Sequence, residues 1–184
     1  NFEKLYRIQA NGGGNTLIYQ ASPGRFITEV DVSEDNTLIA LLTNNAQGYS
    51  ASIFTIDATG NVMDSVITGL PGALGGIDLS VDKKRLLYTR DVSGFENAGY
   101  RRLDSRLFIY NFDTNTSKDI SRNKEEGTND LDPRFSPDEA EVIFVNTSND
   151  GISQENIFKT KIKDEDSTQD FRIELYLNAK MPDW

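Results

Sequence analysis

The fold is decided by the stretch Pro133-Arg134-Phe135-Ser136-Pro137-Asp138 and by three further copies of the same pattern. Two more copies are complete, Val30-Asp31-Val32-Ser33-Glu34-Asp35 and Ile77-Asp78-Leu79-Ser80-Val81-Asp82, and Pro182-Asp183-Trp184 begins a fourth. A run with the composition of a β strand follows each complete copy: Leu38–Leu42, Leu86–Thr89 and Val142–Val145. Such internal periodicity indicates a repeat array.

Two independent series of residues measure the repeat. The apolar residue before each serine recurs at intervals of 47, 56 and 49 residues, at Val32, Leu79, Phe135 and Trp184. An aromatic residue in a second β-prone segment recurs at intervals of 48, 54 and 50 residues, at Tyr6, Phe54, Phe108 and Phe158. A period of about 50 residues that contains only short β runs is typical of a four-stranded propeller blade.

Each repeat unit can be divided into four strands, A to D. Strand A is a short segment around the residue pairs Asp31-Val32, Asp78-Leu79 and Arg134-Phe135. A tight turn follows, because serine and aspartate two positions apart bond nearby backbone groups. This turn leads to strand B. Strand B is the apolar run, strand C contains the recurring aromatic residue, and strand D covers Val62–Thr68, Ser117–Ser121 and Arg172–Leu177. An apolar run without alternation predicts a strand that is covered on both faces.

These residues resemble the TolB-like, PD40-type (WD40-like) propeller repeat. The best copy is Asp132–Asp138, followed by Val142–Val145, the polar loop Asn149-Asp150-Gly151 and the segment Ile157-Phe158. Glu139 replaces the usual glycine of the turn, and the first two copies lack the proline of Ser-Pro-Asp. The resemblance spans nearly the whole chain and implies an all-β propeller. It also implies a place in the cell envelope of a Gram-negative bacterium, periplasmic or in a lipoprotein ectodomain.

The repeats predict a single β-propeller segment of about three complete blades. Residues 1–26 end a preceding blade, residues 27–68, 74–121 and 132–177 form blades, and residues 181–184 begin the next. Propellers close with four to eight blades, and the two ends together lack a strand B. We therefore expect a fragment of a six- to eight-bladed ring of about 300–400 residues. The rival interpretation is an obligate oligomer of half-rings.

Composition excludes several function classes. The 184 residues include neither histidine nor cysteine, so imidazole bases, thiolate nucleophiles and zinc sites with the usual ligands are excluded. We therefore predict no catalytic residue, no metal and no cofactor, and a sugar-processing propeller is disfavoured. The net charge of −10 argues against nucleic-acid binding, and no apolar stretch is long enough to predict a transmembrane segment.

The longest loop between strands B and C is the predicted binding site. It spans residues 91–105 and, with the strand ends beside it, contains aromatic and arginine residues that are favoured at interfaces: Arg90, Phe95, Tyr100, Arg101, Arg102 and Arg106. We predict that this loop contacts an acidic partner or ligand, because arginine suits carboxylates and phosphates. The alternative is an ordered surface loop whose arginines pair with local acids such as Asp91 and Asp104.

Two functions remain open at the sequence level. The first is a non-catalytic binding scaffold of the cell envelope, which contacts another envelope protein, a peptide or a glycan through its variable B–C loops and D–A links. The alternative comes from a different class, since similar propellers gate substrate access in prolyl-oligopeptidase and dipeptidyl-peptidase-like serine hydrolases. A downstream α/β-hydrolase domain with Gly-x-Ser-x-Gly would favour the gate. Ser136 is predicted to be a turn residue and not a nucleophile.

Overall fold

The structure is a computed structural model of the chain. It describes residues 2–68, 74–93, 103–121, 123–149, 154–162 and 172–183. All regular elements in these ranges are β strands. They form one two-stranded and three four-stranded sheets, and every strand pair is antiparallel.

Strands follow one another within each sheet in sequence order, so each sheet is a meander. The two-stranded sheet contains β1 (Lys4–Arg7) and β2 (Thr16–Gln20). The first blade contains β3 (Arg25–Val32), β4 (Leu38–Asn45), β5 (Ser52–Asp57) and β6 (Val62–Ile67). The second blade contains β7 (Leu74–Leu79), β8 (Arg85–Asp91), β9 (Ser105–Asn111) and β10 (Thr116–Asp119). The third blade contains β11 (Thr128–Phe135), β12 (Glu141–Ser148), β13 (Glu155–Lys161) and β14 (Ile173–Tyr176). The predicted all-β architecture of four-stranded antiparallel blades is confirmed.

The hydrophobic core lies between the sheets. One cluster joins the first blade, through residues such as Leu42 and Ile53, to Leu86 and Tyr88 of the second blade. A second cluster joins Leu87 and Leu107 of the second blade to Val142 and Phe144 of the third blade. A third cluster packs Leu5 and Ile18 of the two-stranded sheet against Ile39 and Leu41. The second strand of each blade therefore buries both faces, which explains its unbroken apolar run.

The first strand of the third blade begins before residue 132, where the sequence pattern predicts the blade to start. Thr128–Leu131 belong to β11 and are not part of the link between the second and third blades. Asn129 and Asp130 are 3% and 0% exposed, and neighbouring side chains and backbone groups satisfy their polar atoms. Hydrogen bonding thus lets residues that usually favour links occupy a buried strand.

Each first strand contains a β-bulge where it pairs with the second strand. Two of the bulges hold a residue with positive φ, Gly76 at 57° and Asp132 at 49°. The backbone is packed tightly there, since a Cβ built on Gly76 would lie 2.6 Å from the Cα of Asp132. Glycine at position 76 therefore lets the first strands of the second and third blades approach each other.

Candidate functional site

The three turns between the first and second strands share one hydrogen-bond network. The serine Oγ donates to the aspartate Oδ1 at 2.8, 2.6 and 2.6 Å, in the pairs Ser33–Asp35, Ser80–Asp82 and Ser136–Asp138. The same Oγ accepts from the backbone N–H five residues later, at 3.0, 2.9 and 2.9 Å, from Leu38, Arg85 and Glu141. Each serine is buried. These hydroxyls are thus engaged in holding the turns.

Neighbouring turns are joined by a second set of contacts. The residue with positive φ in each turn, Lys83 in the second and Glu139 in the third, reaches the preceding turn. Lys83 donates to the carboxylate of Asp35, and Glu139 accepts from the Val81 N–H and the Arg85 guanidinium. The hydrogen bond from Lys83, together with those from Thr37 and Ser33, holds the pKa of Asp35 below its usual range. Polar side chains therefore join neighbouring blades at the turn end, the end of the blades that holds the turns between the first and second strands.

The innermost strands are linked by carboxylates. Asp31 accepts from the N–H of Leu79 at 2.6 Å, and Asp78 accepts from the N–H of Phe135 at 2.7 Å. Each bond runs from one blade to the corresponding strand of the next. Arg134 occupies the equivalent position in the third blade and donates to the carbonyl of Ile77 at 3.2 Å. The position before the apolar anchor thus fastens the inner strands to each other.

A cavity of about 370 Å³ opens beside these inner strands, and Asp31, Asp78, Arg134 and Asp183 contribute to its wall. Burial, supported by the nearby Asp31 and Asp183 charges, raises the pKa of Asp78 to about 6, although the Phe135 N–H acts in the opposite direction. Burial also raises the pKa of Glu29. Two carboxylates of this cavity wall, Asp31 and Asp78, thus already serve the contacts between blades.

The opposite end of the blades holds the longest B–C loop on a fixed base. Asp91 is 0% exposed, and its Oδ1 accepts from the Ser93 N–H at 3.1 Å and the Asp104 N–H at 2.8 Å. The backbone of Val92 also donates to the carbonyl of Asp104 at 3.0 Å. From the third blade, Asn129 Oδ1 accepts from the Ser105 N–H at 2.9 Å. Both ends of the loop are therefore held together.

Arg106 lies within an ion-pair network at this base. It contacts Asp104 at 2.9 Å and Asp119 at 3.2 Å, and Lys124 contacts Asp104 at 3.0 Å. Asp104 hydrogen bonding to Arg106 raises the pKa of the guanidinium above its ordinary value. A cavity of about 340 Å³ adjoins Arg106, Asp119 and Lys124. Arg106 thus has the local acidic partner considered in the alternative interpretation of the loop.

Arg90 stands directly opposite Arg106 in the register of β8 and β9. Its Nε atom is buried and has no hydrogen-bond partner. Four other predicted loop residues, Phe95, Tyr100, Arg101 and Arg102, lie outside the described residues. The structure therefore places Arg90 and Arg106 side by side at the loop base. The wider contact surface of the loop remains a prediction.

Sequence reasoning missed a buried polar cluster beside this loop. The Asp130 carboxylate is 0% exposed and pairs with the Arg172 guanidinium at 2.7 and 2.9 Å. Ser121 and Asn146 also donate to Asp130. The Arg172 guanidinium lies 4.8 and 4.7 Å from the ring centroids of Phe144 and Phe158. No spacing in the sequence links positions 130 and 172, because Asp130 lies in the first strand of the sheet and Arg172 precedes the fourth, and the two side chains meet only in the folded blade.

The part of the chain that the structure describes contains no group of three or more acidic residues arranged to hold a metal ion. Two acidic segments of the sequence, 150–151 and 163–166, lie outside the described residues. None of the described elements is a helix long and apolar enough to cross a membrane.

Comparison with known proteins shows similarity of fold. No protein-family model matches the sequence, and no curated protein matches it significantly. Among solved structures, the chain is similar to TolB from Acinetobacter baumannii, with a TM-score of 0.62 and 18% identity over 92% of this chain and 37% of that one. It is similar to an oligogalacturonate lyase in complex with manganese, with a TM-score of 0.66 and 12% identity over 93% and 47% of the two chains.

A prolyl endopeptidase is a third structural neighbour. Its TM-score is 0.64, and the 16% identity extends over 89% of this chain and 25% of that one. The chain thus spans between about a quarter and a half of these three proteins. The shared element is the β-propeller, and the predicted likeness to TolB-like propellers is confirmed at the level of fold. Because the neighbours include enzymes, the fold is compatible with more than one function.

Proposed function

We propose that this chain is a non-catalytic binding propeller whose B–C loops and D–A links contact a protein, peptide or glycan. The observation that supports this most is the fixed base of the 91–105 loop. Asp91 and Asn129 hold both ends of the loop in place, so its residues are presented from a rigid support. Loops on rigid scaffolds are common binding sites, and ordering the base in advance lowers the entropic cost of association.

The two ends of the blades differ in a way that favours the loop end. At the turn end, equivalent residues make equivalent hydrogen bonds in all three blades, and Lys83 and Glu139 join the blades. At the loop end, the contacts differ between blades, and Arg90 keeps a buried Nε without a partner. Variation on a repeated scaffold is what specific recognition requires. We therefore place the binding surface at the loop end.

The proposed partner presents acidic groups to the loop. Arg90 and Arg106 lie opposite each other on neighbouring strands, and Arg101 and Arg102 extend the basic character of the segment. Like charges placed opposite each other repel, and a carboxylate or phosphate from a partner would reduce this repulsion further than Asp104 and Asp119 do. Likeness in fold to TolB supports a place in the bacterial cell envelope, which is part of the same proposal.

A peptide titration tests this proposal. The probe is a fluorescein-labelled peptide of twelve alternating glutamate and glycine residues, and its anisotropy reports binding. Because the chain carries a net charge of −10, non-specific association with this probe is disfavoured. We expect the triple variant Tyr100→Ala, Arg101→Ala, Arg102→Ala to bind at least about tenfold more weakly, with an unchanged melting temperature.

A matched control is a charge-removing variant at the turn end, Lys84→Ala. The Lys84 side chain is 59% exposed and contacts Asp113 at 3.3 Å, so the substitution removes one positive charge at the end of the blades opposite the loop. The control should bind like the unaltered chain. Equal affinity of the triple variant and the unaltered chain, or no binding by either, would contradict an acid-binding loop.

The second candidate function is a substrate gate beside a serine-hydrolase domain. The similarity to a prolyl endopeptidase, of which the chain spans 25%, supports it. Measuring the intact mass of the native gene product and its peptidase activity separates the two functions. A product that contains an α/β-hydrolase domain and cleaves short peptides would replace the scaffold proposal by the gate. A product of propeller size without such activity would support the scaffold.

A further inference from the structure

A cavity of about 260 Å³ lies between β2 and the first blade, and its wall combines one arginine with apolar side chains. The described residues that line it include Arg25, the apolar side chains of Phe54, Val62 and Ile67, and six residues with hydroxyl groups, among them Tyr19. None of these described residues is acidic, although the chain carries a net charge of −10. β1 contributes no residue to the wall. The cavity therefore presents a positive charge beside apolar surface in an acidic chain.

The charge of Arg25 has only neutral partners. Its Nη1 donates to the carbonyl of Ser50 at 2.6 Å, and its Nη2 donates to the carbonyl and the hydroxyl of Thr43 at 2.8 and 3.0 Å. Nη2 also lies 3.2 Å from the hydroxyl of Ser52. Among the described residues, no carboxylate forms an ion pair with Arg25, and its Nε–H makes no hydrogen bond. The guanidinium is thus held in position while its charge stays uncompensated, so binding an anion would require little further ordering of this side chain.

The third blade shows how the fold accommodates an arginine beside the recurring aromatic residue. There the Arg172 guanidinium lies 4.7 Å from the ring centroid of Phe158, and the Asp130 carboxylate binds it at 2.7 and 2.9 Å. Phe54 is the equivalent aromatic residue of the first blade, and it lines the same cavity as Arg25. The two blades therefore place an arginine in similar surroundings, but only the third supplies a carboxylate for it.

The first blade has an apolar residue where the third blade has Asp130. Asp130 precedes the apolar anchor Phe135 by five residues, and the same offset before Val32 gives Ile27. Ile27 is buried and belongs to the hydrophobic cluster between the two-stranded sheet and the first blade. A carboxylate that pairs with Arg25 would therefore come from a bound molecule.

The apolar part of the wall indicates what else such a molecule contains. The rings of Tyr19 and Phe54 come from different sheets, with their centroids 5.4 Å apart, and the side chain of Val62 is 56% exposed. Burial raises the pKa of Tyr19, and the charge of Arg25 acts in the opposite direction, as expected for a guanidinium close to the phenol. An apolar ring or chain placed here would bury apolar surface while its charged group meets Arg25.

We propose that this cavity binds a small organic carboxylate with an apolar ring or chain, a chemistry shared by the last residue of a peptide and by a free aromatic acid. The carboxylate accepts from Arg25, as Asp130 does from Arg172, and the apolar part lies against Phe54 and Val62. Hydrogen bonds between a guanidinium and a carboxylate are charge-assisted and stronger than the neutral bonds that Arg25 already makes. The site lies in the first blade, is separate from the 91–105 loop, and does not rest on the proposed function.

The first test titrates the nitrogen-15-labelled 184-residue chain with N-acetyl-L-phenylalanine and follows the backbone amide signals by NMR. N-acetyl-L-phenylalaninamide, which has the same ring without the charge, is the control. We expect saturable shifts at Phe54 and its neighbours in β5 and β6, and binding of the amide at least about tenfold weaker than that of the acid. Equal affinity for the acid and the amide, or no saturable shift with the acid, would overturn the proposal.

Two adjacent residues of β6 provide a matched pair of variants. Val62 and Met63 are 56% and 57% exposed and point to opposite faces of the strand, and of the two only Val62 lines the cavity. Val62→Glu should weaken binding of the acid about threefold to fivefold by repulsion, whereas Met63→Glu should leave it unchanged. Neither should lower the melting temperature. Equal weakening by both would show that net charge, not the cavity, governs binding.

A third variant and two further probes identify the ligand more closely. Arg25→Gln should abolish the preference for the acid over the amide, and a preference that persists in the folded variant would contradict the role of Arg25. Phenylacetate that binds more weakly than N-acetyl-L-phenylalanine would support a peptide terminus as the ligand, and equal binding would support a free aromatic acid. Tighter binding of glucuronate, a carboxylate with a polar body, would overturn the assignment of the apolar wall.

Discussion

One position in the repeat shows how the same place in three blades acquires different electrostatics. The residue before the apolar anchor is Asp31 in the first blade, Asp78 in the second and Arg134 in the third. All three fasten one inner strand to its neighbour. The carboxylates of Asp31 and Asp78 come close together in this arrangement. A carboxylate that holds the blades together therefore also destabilises the fold by repulsion when it is charged.

Asp78 gives a prediction about pH. Burial, and after it the charge of Asp31, raises its pKa to about 6. Between the unfolded pKa of 3.8 and this value, the folded state therefore keeps a proton that the unfolded state has released. The stability of the unaltered chain relative to Asp78→Asn should therefore be greatest below about pH 4 and fall as the pH rises through about 6. After allowance for solvent screening, we expect a difference of about 1–2 kcal/mol, measured by urea unfolding from pH 4 to pH 8.

Asp82 is a matched control with the opposite sign. The hydrogen bond from Ser80 lowers the pKa of Asp82, against the opposing effect of its partial burial. Its contribution to stability is present above the unfolded pKa and is lost as the pH falls. The stability of the unaltered chain relative to Asp82→Asn should thus decrease as the pH falls below about 4, the pKa of the unfolded carboxyl being 3.8, so urea unfolding of this pair extends below pH 4. The Asp78 difference instead increases towards acid. Parallel pH dependences for the two variants would contradict the assigned environments.

The turn residues could be predicted from sequence, and the buried polar cluster could not. Serine and aspartate two positions apart interact locally, so the sequence around Ser136 and Asp138 is sufficient to predict the turn. Asp130 and Arg172 are 42 positions apart and meet only after four strands have ordered. Asp130 lies among polar residues typical of a link, and only the tertiary contacts make it a strand residue.

At the scale of the element, the conformation of the first strand of each blade depends most on contacts with the neighbouring blades. A Cβ on Gly76 would lie 2.6 Å from the Cα of Asp132 and 2.7 Å from the Cδ of Pro133, and its φ of 57° already disfavours other residues. We predict that Gly76→Ala destabilises the chain by about 3 kcal/mol or more, because backbone strain and a backbone clash act together. Urea unfolding measures this cost.

Gly24→Ala separates these two causes. Gly24 also has a positive φ, 77°, but no atom lies within 4 Å of a Cβ placed there. Its substitution should therefore cost only the conformational strain, about 1 kcal/mol. If the two variants were equally stable, the clash with the third blade would add nothing to the cost of substituting Gly76.

The second strands were the most predictable elements and the first strands the least. Val142–Val145 and its equivalents are apolar without interruption because two neighbouring sheets cover them. First strands contain residues such as Gly75, Gly76 and Asn129, which have low β propensity. Contacts between blades offset this low propensity, and a sequence pattern confined to one blade contains no information about them.

At the scale of the whole molecule, stability arises between sheets rather than within them. Leu86 and Leu87 are adjacent in β8 and both are 0% exposed. Leu86 packs with Leu42 and Ile53 of the first blade, whereas Leu87 packs with Val142 and Phe144 of the third blade. Successive side chains of a strand point to opposite faces, so one strand contributes to two different cores.

This alternation gives a prediction about how destabilisation spreads. Leu86→Ala and Leu87→Ala should each cost about 2–5 kcal/mol. Hydrogen exchange measured by mass spectrometry should then show different patterns: faster exchange in β4 and β8 for Leu86→Ala, and in β8 and β12 for Leu87→Ala. Identical patterns would indicate that the whole array opens as one unit. Faster exchange in β8 alone would mean that each sheet is stable by itself, which the position of the core between the sheets argues against.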